Sequence, residues 1–302
     1  MSERRADRRR ADHRAYRPTL DGTLESKLLM SVTRVNLPHR DGIQTAFGGQ
    51  AVELTTLKGQ SFYVVATTGT VRAYRMTGGR FGLILDGTDV DTEVSINPIN
   101  DPKAKGSAHL YNGRLSHYDR LIDIGSIRVT SGTIGSILGY RTAVLSGPLL
   151  ATSTNRVDRI AFDTIAQGAS INVGGDINTL DVLNNLTLSG RNTGIIVGRD
   201  VNSLTVGGNL AIGDNATLYI NRDLGLTLQP AKGTGPTGQG ATIGGDLVLR
   251  NGGKLTVNRT LDAPFVVNGA TYGANPGSIR FGGIASGFTA DQFIQSRGGF
   301  QA

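Results

Sequence analysis

INVGGDINTLDVLNNLTLS, residues 171–189, is followed by IIVGRDVNSLTVGGNLAIG, residues 195–213. At an offset of 24, nine of the nineteen positions are identical: Ile171/Ile195, Val173/Val197, Gly174/Gly198, Asp176/Asp200, Asn178/Asn202, Leu180/Leu204, Val182/Val206, Asn185/Asn209 and Leu186/Leu210. Within each unit the apolar residues come as i, i+2 pairs, such as Leu180/Val182 and Leu186/Leu188. Period two puts both members of a pair on one face of a strand. Gly, Asn and Asp fill the intervals, and these residues tolerate sharp corners. Three short strands and three corners in about 24 residues describe one rung of a parallel β-helix. Such a rung cannot bury its apolar face alone, so neighbouring rungs must stack.

Working outward, VGGNLAIGDNATLYINRDL (206–224) matches IGGDLVLRNGGKLTVNRTL (243–261) at an offset of 37. The surplus over 24 is read as a loop around 229–240, where Gly, Pro and Thr dominate. The recurring VGGDI, VGRDV, VGGNL and IGGDL predict like residues above one another, with corner Asn and Asp hydrogen-bonding along the axis. The predicted core-facing set is Val173, Val182, Leu188, Val197, Val206, Ile212, Leu249 and Val257. Looser rung-like segments begin near 121, whereas SFYVVATTGTVRAYR (61–75) is β-rich without the repeat. The expected organisation is therefore a basic leader (1–31), an N-terminal β-rich domain (32–120), solenoid repeats (121–267) and a glycine-rich cap or tail (268–302). Thr289 and Gln292 have capping-box spacing for one short helix in that last stretch. The fold class is all-β: a parallel β-helix, or β-solenoid, with an N-terminal β-rich capping domain and little helix.

Composition narrows the function classes. The 43 glycines keep no collagen register, and 38% hydrophobic content in regular pairs excludes a disordered chain. The absence of cysteine removes disulfides, thiolate metal sites and cysteine nucleophiles together. With no Trp and 6% aromatics, a sugar cleft paved with indole rings is not expected. The net charge of +7 sits largely in residues 1–17, which hold seven arginines against Glu3, Asp7 and Asp12. The rest of the chain holds 24 basic and 21 acidic groups. That segment reads as a solvated leader or as a nucleic-acid arm. Acidic residues interrupt it and no aromatic–basic pattern follows, so the leader is preferred and no nucleic-acid partner is expected. No run of 18 apolar residues exists, so no transmembrane helix is expected, and the longest apolar run at the N-terminus is Leu28-Leu29-Met30.

Leu24-Glu25-Ser26-Lys27-Leu28-Leu29-Met30-Ser31 resembles the LEPR-XLL signature of secreted and surface proteins of planctomycete bacteria, which typically follows an arginine-rich stretch. It departs from the signature at Ser26 for Pro, Lys27 for Arg and Met30 for the last Leu. The repeats also look like the glycine- and asparagine-rich β-strand repeats of that class. The resemblance implies export and a cell-surface or extracellular location.

Four constellations are candidates for chemistry. GTGPTG at 233–238 fits GxGxxG, but a strand-like ATIGGDLVL follows where a helix is needed, and Gln239 stands where a P-loop needs lysine. Asp86, Asp89, Asp91 and Glu93 form the densest acidic group; on a strand the last three share one face and could hold Ca²⁺, but the EF-hand pattern is not met and a solvated turn and strand face is the preferred reading. His109 and His117, with Tyr118 and Asp119, lack a third partner. Asn185, Asn215 and Asn258 begin N-x-T sequons, yet corner or ladder roles account for all three. No catalytic, cofactor-binding or metal-binding residue is assigned. The expected function is a non-catalytic structural or adhesive surface solenoid, whose partners are cell-envelope or matrix components or further copies of itself. Two alternatives stay open: a polysaccharide lyase or glycosidase, by fold analogy alone, and a bactofilin-like cytosolic filament former.

Overall fold

The computed structural model describes residues 43–99, 121–190, 193–225, 240–249, 253–261, 265–273, 278–284, 294–298 and 300–301. They belong to one compact unit, His39–Ala302. Six strands come first: β1 (Ile43–Ala46), β2 (Ala51–Thr55), β3 (Ser61–Ala66), β4 (Thr70–Arg75), β5 (Phe81–Asp86) and β6 (Glu93–Pro98). Next are β7 (Ile122–Val129), β8 (Ser136–Leu145), β9 (Pro148–Ala151), β10 (Arg156–Ile165), β11 (Ser170–Val173), β12 (Asp176–Val182) and β13 (Leu186–Ser189). Then come β14 (Gly194–Val197), β15 (Val201–Val206), β16 (Leu210–Gly213), β17 (Thr217–Ile220), β18 (Gly240–Ile243) and β19 (Leu247–Leu249). The last are β20 (Lys254–Leu261), β21 (Phe265–Val267), β22 (Thr271–Gly273), β23 (Ser278–Ile284), β24 (Ile294–Ser296) and β25 (Phe300–Gln301). Helix among the described residues is confined to two short 3-10 turns, at Phe47–Gly49 and Thr77–Gly79.

The strands build a parallel β-solenoid. Ile127 lies beside Leu149, and the same column continues through Ile171, Ile195, Leu218, Leu255 and Ile279, which makes six turns. This first ladder runs β7–β9–β11–β14–β17–β20–β23. A second runs β8–β10–β12–β15–β18–β21–β24, and a third starts at β7 and β8 and runs through β10, β13, β16, β19, β22 and β25. The registers coincide with both sequence offsets. Ile171, Leu180 and Leu186 pair with Ile195, Leu204 and Leu210. Val206, Leu210 and Leu218 pair with Ile243, Leu247 and Leu255. The surplus enters between Leu224, which bridges Val201, and Gly240, which pairs with Ser203. Residues 226–239 between them lie outside the described residues.

Period two explains the burial. All eight predicted core residues, from Val173 to Val257, are at most 2% exposed. The inner residues of every ladder belong to one continuous apolar core that begins at Val52 and ends at Val267. Each fully buried Leu, Ile, Val or Phe is worth roughly 1.5–3 kcal/mol.

At the N-terminal end the pattern changes from parallel to antiparallel. β1, β2, β3 and β6 pair antiparallel in that order, and β4 forms an antiparallel hairpin with β5. β5 and β6 then pair in parallel with β7 and β8, so the antiparallel strands extend the first and second ladders directly. The Arg75 guanidinium lies 4.7 Å from the Phe81 ring centroid and donates to the Thr55 carbonyl at 2.7 Å. The stretch read as a glycine-rich cap or tail carries β22–β25, which continue all three ladders. The helix expected from Thr289 and Gln292 lies outside the described residues.

Candidate functional site

The polar residues of the repeat meet at its corners. Asp176, Asp200 and Asp223 occupy one corner in three successive rungs. The Asp176 carboxylate accepts the Asp200 N–H at 3.1 Å, Asp200 accepts that of Asp223 at 2.9 Å, and Asp223 accepts that of Thr260 at 2.8 Å. A second column behaves alike: Asn185 accepts the Asn209 N–H, Asn209 that of Asp246, and Asp246 that of Ala270, each at 2.9 Å. Within the strands that follow the first corner, β12 and β15, the Asn202 amide donates to Asn178 Oδ1 at 3.1 Å. Chain turning leaves these N–H groups without a strand partner, and a side-chain oxygen from the adjacent rung satisfies them. Asn and Asp are thus corner residues twice over, through their backbone and through their acceptor.

Arginines complete the first column. Arg222 Nη1 is 3.4 Å from Asp200 Oδ2, and Arg199 Nη1 is 3.9 Å from Asp176 Oδ2. The repeated Arg-Asp dipeptides at 199–200 and 222–223 are the sequence signal for this pairing. Asp200 is 3% exposed, and burial above all raises its pKa. The Asp223 N–H and Arg222 pull it down, while Asp176 and Asp223 push it up further. A raised carboxyl pKa contributes stability that is complete below the ordinary value of 3.8 and is lost as pH rises through the folded value. Asp86 and Asp89 have lowered pKa values, so their contribution is present above 3.8 and is lost below it. Asp200→Asn keeps the Oδ1 acceptor and removes the buried charge. The variant should melt higher than the parent at pH 7, with the gap narrowing as pH falls to about 4; thermal melts across that range read the result. A lower melting temperature at pH 7 would mean that the Arg222 pair outweighs burial.

The acidic group at 86–93 lies on an exposed turn and the strand ends beside it, and Asp89, Asp91 and Glu93 do not share one strand face. Asp86 ends β5, Glu93 begins β6, and a turn intervenes in which the Thr92 N–H donates to the Asp89 carbonyl. Asp89 Oδ1 accepts from Thr92 Oγ1 at 2.9 Å and from the Asp91 N–H at 3.1 Å. Asp86 accepts from Ser131 Oγ and from Thr130 Oγ1 at 3.2 Å. Both carboxylates are therefore occupied in fastening this turn and the one after β7. Ser131 for Asp86 and Thr92 for Asp89 are the first causes of their lowered pKa values. Among the described residues no three His, Cys, Asp or Glu side chains gather to hold a metal ion.

Of the sequons, Asn185 belongs to the second corner column, Asn215 has φ 64° in the turn before β17, and Asn258 is exposed within β20. GTGPTG, His109, His117, Tyr118 and Asp119, residues 1–17 and the LEPR-like segment all lie outside the described residues. Among the described residues no helix is long and apolar enough to cross a membrane.

The register also joins residues that the sequence did not suggest belong together. Arg159, in β10, reaches Asp181 of the next rung at 2.6 Å. Tyr74, on β4, lies across Gly82 of β5, where an added Cβ would fall 2.2 Å from the ring, and its hydroxyl meets Ser126 Oγ of β7 at 2.8 Å. Comparison with family models, with curated proteins and with solved structures gives no match.

Proposed function

We propose that this β-solenoid is a non-catalytic structural or adhesive protein of the cell surface or extracellular matrix. One observation carries the reading. All nine aspartates from Asp123 to Asp246 are held by a protein donor: four by a backbone N–H of the next rung, and the others by Ser146, Arg156, Asn184, Arg159 and Ser189. No glutamate and no histidine occurs in that stretch. A polysaccharide hydrolase or lyase needs an acid and a base aimed at substrate, and here the carboxylates are spent on the scaffold.

The resemblance at 24–31 to exported surface proteins supports the location. The antiparallel strands β1–β4 at one end of the stack count against a bactofilin-like filament, whose rungs must meet end to end. Fractionation of the native cells tests the location: recovery with the envelope or medium is expected, and recovery in the cytosol overturns it. Turnover of an acidic polysaccharide, abolished by a single substitution within 171–261, would overturn the non-catalytic reading.

A further inference from the structure

The outer face of the first ladder, extended by β4 and β5, carries two side-chain columns in which no carboxylate stands. One column starts at Arg72 and passes Arg128, Asn172, Ile196 and Tyr219 to reach Arg280. The other starts at Tyr74 and includes Ser126, Ser170, Thr217, Lys254 and Ser278. Their remaining members are apolar residues, a threonine and glycines. Nine strands at about 4.8 Å spacing make a face roughly 38 Å long. Arg72, Arg128, Lys254 and Arg280 are exposed, and none makes an ion pair with the described residues. Arg72 does lower the pKa of Asp86, which stands at the margin of the face and is fastened by Ser131 and Thr130. By contrast Arg156, Arg159, Arg199 and Arg222, on the other sides of the rungs, are each paired with an aspartate.

We propose that this face binds one strand of an acidic polysaccharide laid along the solenoid axis. The inference deepens the surface-protein reading, and rests on it for where such a polymer is met. Charge complementarity identifies the occupant: cations without an ion pair among the described residues stand near both ends of the strip, with no carboxylate between them in the two columns. The intervening Ser170 and Asn172 on β11, Thr217 on β17, Thr256 on β20 and Ser278 on β23 offer donors and acceptors to sugar hydroxyls. Tyr74 adds a flat ring, 42% exposed, held against the sheet by Gly82 and Ser126 and flanked by Arg72 and Arg128. A pyranose ring stacks on such a surface. Nucleic acid fits less well. Duplex DNA carries a charge about every 1.7 Å, and this face offers four cations over its whole length.

The test compares two charge-reversed variants of the full chain that differ equally in net charge. Lys254→Glu/Arg280→Glu alters the face, whereas Lys58→Glu/Arg297→Glu alters exposed cations elsewhere. The probe is alginate, with neutral dextran as control, at low salt and with melting temperatures checked. The expected result is alginate binding that weakens with salt, at least tenfold weaker in the first variant and within about twofold of the parent in the second. No alginate binding by the parent, or equal losses in both variants, would overturn the proposal. Tighter binding of duplex DNA than of alginate, lost in the first variant alone, would overturn it in favour of nucleic acid. None of these outcomes depends on where the protein is found in fractionation, so the two readings fail separately.

Discussion

Phe162→Ala should destabilise the protein by about 3–5 kcal/mol, measured by urea unfolding. Phe162 is fully buried in β10, in register with Gly139 of the preceding rung and Val182 of the following one. The column then continues through Val206, Ile243 and Val267. Gly139 has no side chain to fill its level, and Ala143 Cβ and the Phe162 ring close in on that space: a Cβ on Gly139 would lie 2.7 Å from the first and 3.2 Å from the second. Truncation would empty the Phe162 level and leave only the Ala143 methyl beside Gly139. Rung spacing is set by backbone hydrogen bonds on three sides, so the walls cannot collapse into the void, and the full cavity penalty applies. Val182→Ala, with a filled neighbour at Val206, should be the milder change. A Phe162→Ala effect below about 1 kcal/mol would show that the early rungs relax in a way the later ones do not.

That irregular column also shows what could be read from sequence and what could not. In 171–261 each rung repeats its apolar pairs and its glycine–Asx corners, so identity alone gave the register, the core face and the corner hydrogen bonds. Between 121 and 165 the same architecture is built with uneven parts: Gly139 under Phe162, and a three-residue excess at Tyr140–Thr142 where Arg141 takes φ 64°. A pattern search sees these as loose rungs because complementary sizes in neighbouring rungs replace repeated identities. The acidic turn shows how a strand-like alternation can stop short of a strand. Alternating Asp89, Asp91 and Glu93 mimic a strand, but Asp89 and Thr92 close a local hydrogen-bonded turn that competes with strand pairing. The acid-free face was hidden altogether. Arg72, Arg128, Lys254 and Arg280 are scattered over more than 200 residues, and only the strand registers bring them onto one strip.

Asn209→Ala and Gly245→Ala should each destabilise by roughly 0.5–1.5 kcal/mol, and the double variant by little more than the worse single one. Asn209 Oδ1 accepts the Asp246 N–H at an exposed corner, and removing it leaves that donor to water. Gly245 precedes Asp246, and a Cβ there would fall 2.1 Å from the same Asn209 Oδ1. The amide would have to swing away, and the bond would be lost by a different route. The two changes therefore break one interaction, so a double-mutant cycle should return a coupling of about 0.5 kcal/mol or more. The relation recurs one rung earlier at Gly208 over Asn185, and one rung later at Gly269 over Asp246. It explains the second glycine of VGGN and IGGD: the position must stay bare because the side chain of the preceding rung lies against it. Gly207 and Gly244, the first glycines, instead face backbone carbonyls, of Leu183 and Gly207. Additive losses in the cycle would mean that Gly245 is needed for its own backbone and that the stacked Asx column has no part in choosing it.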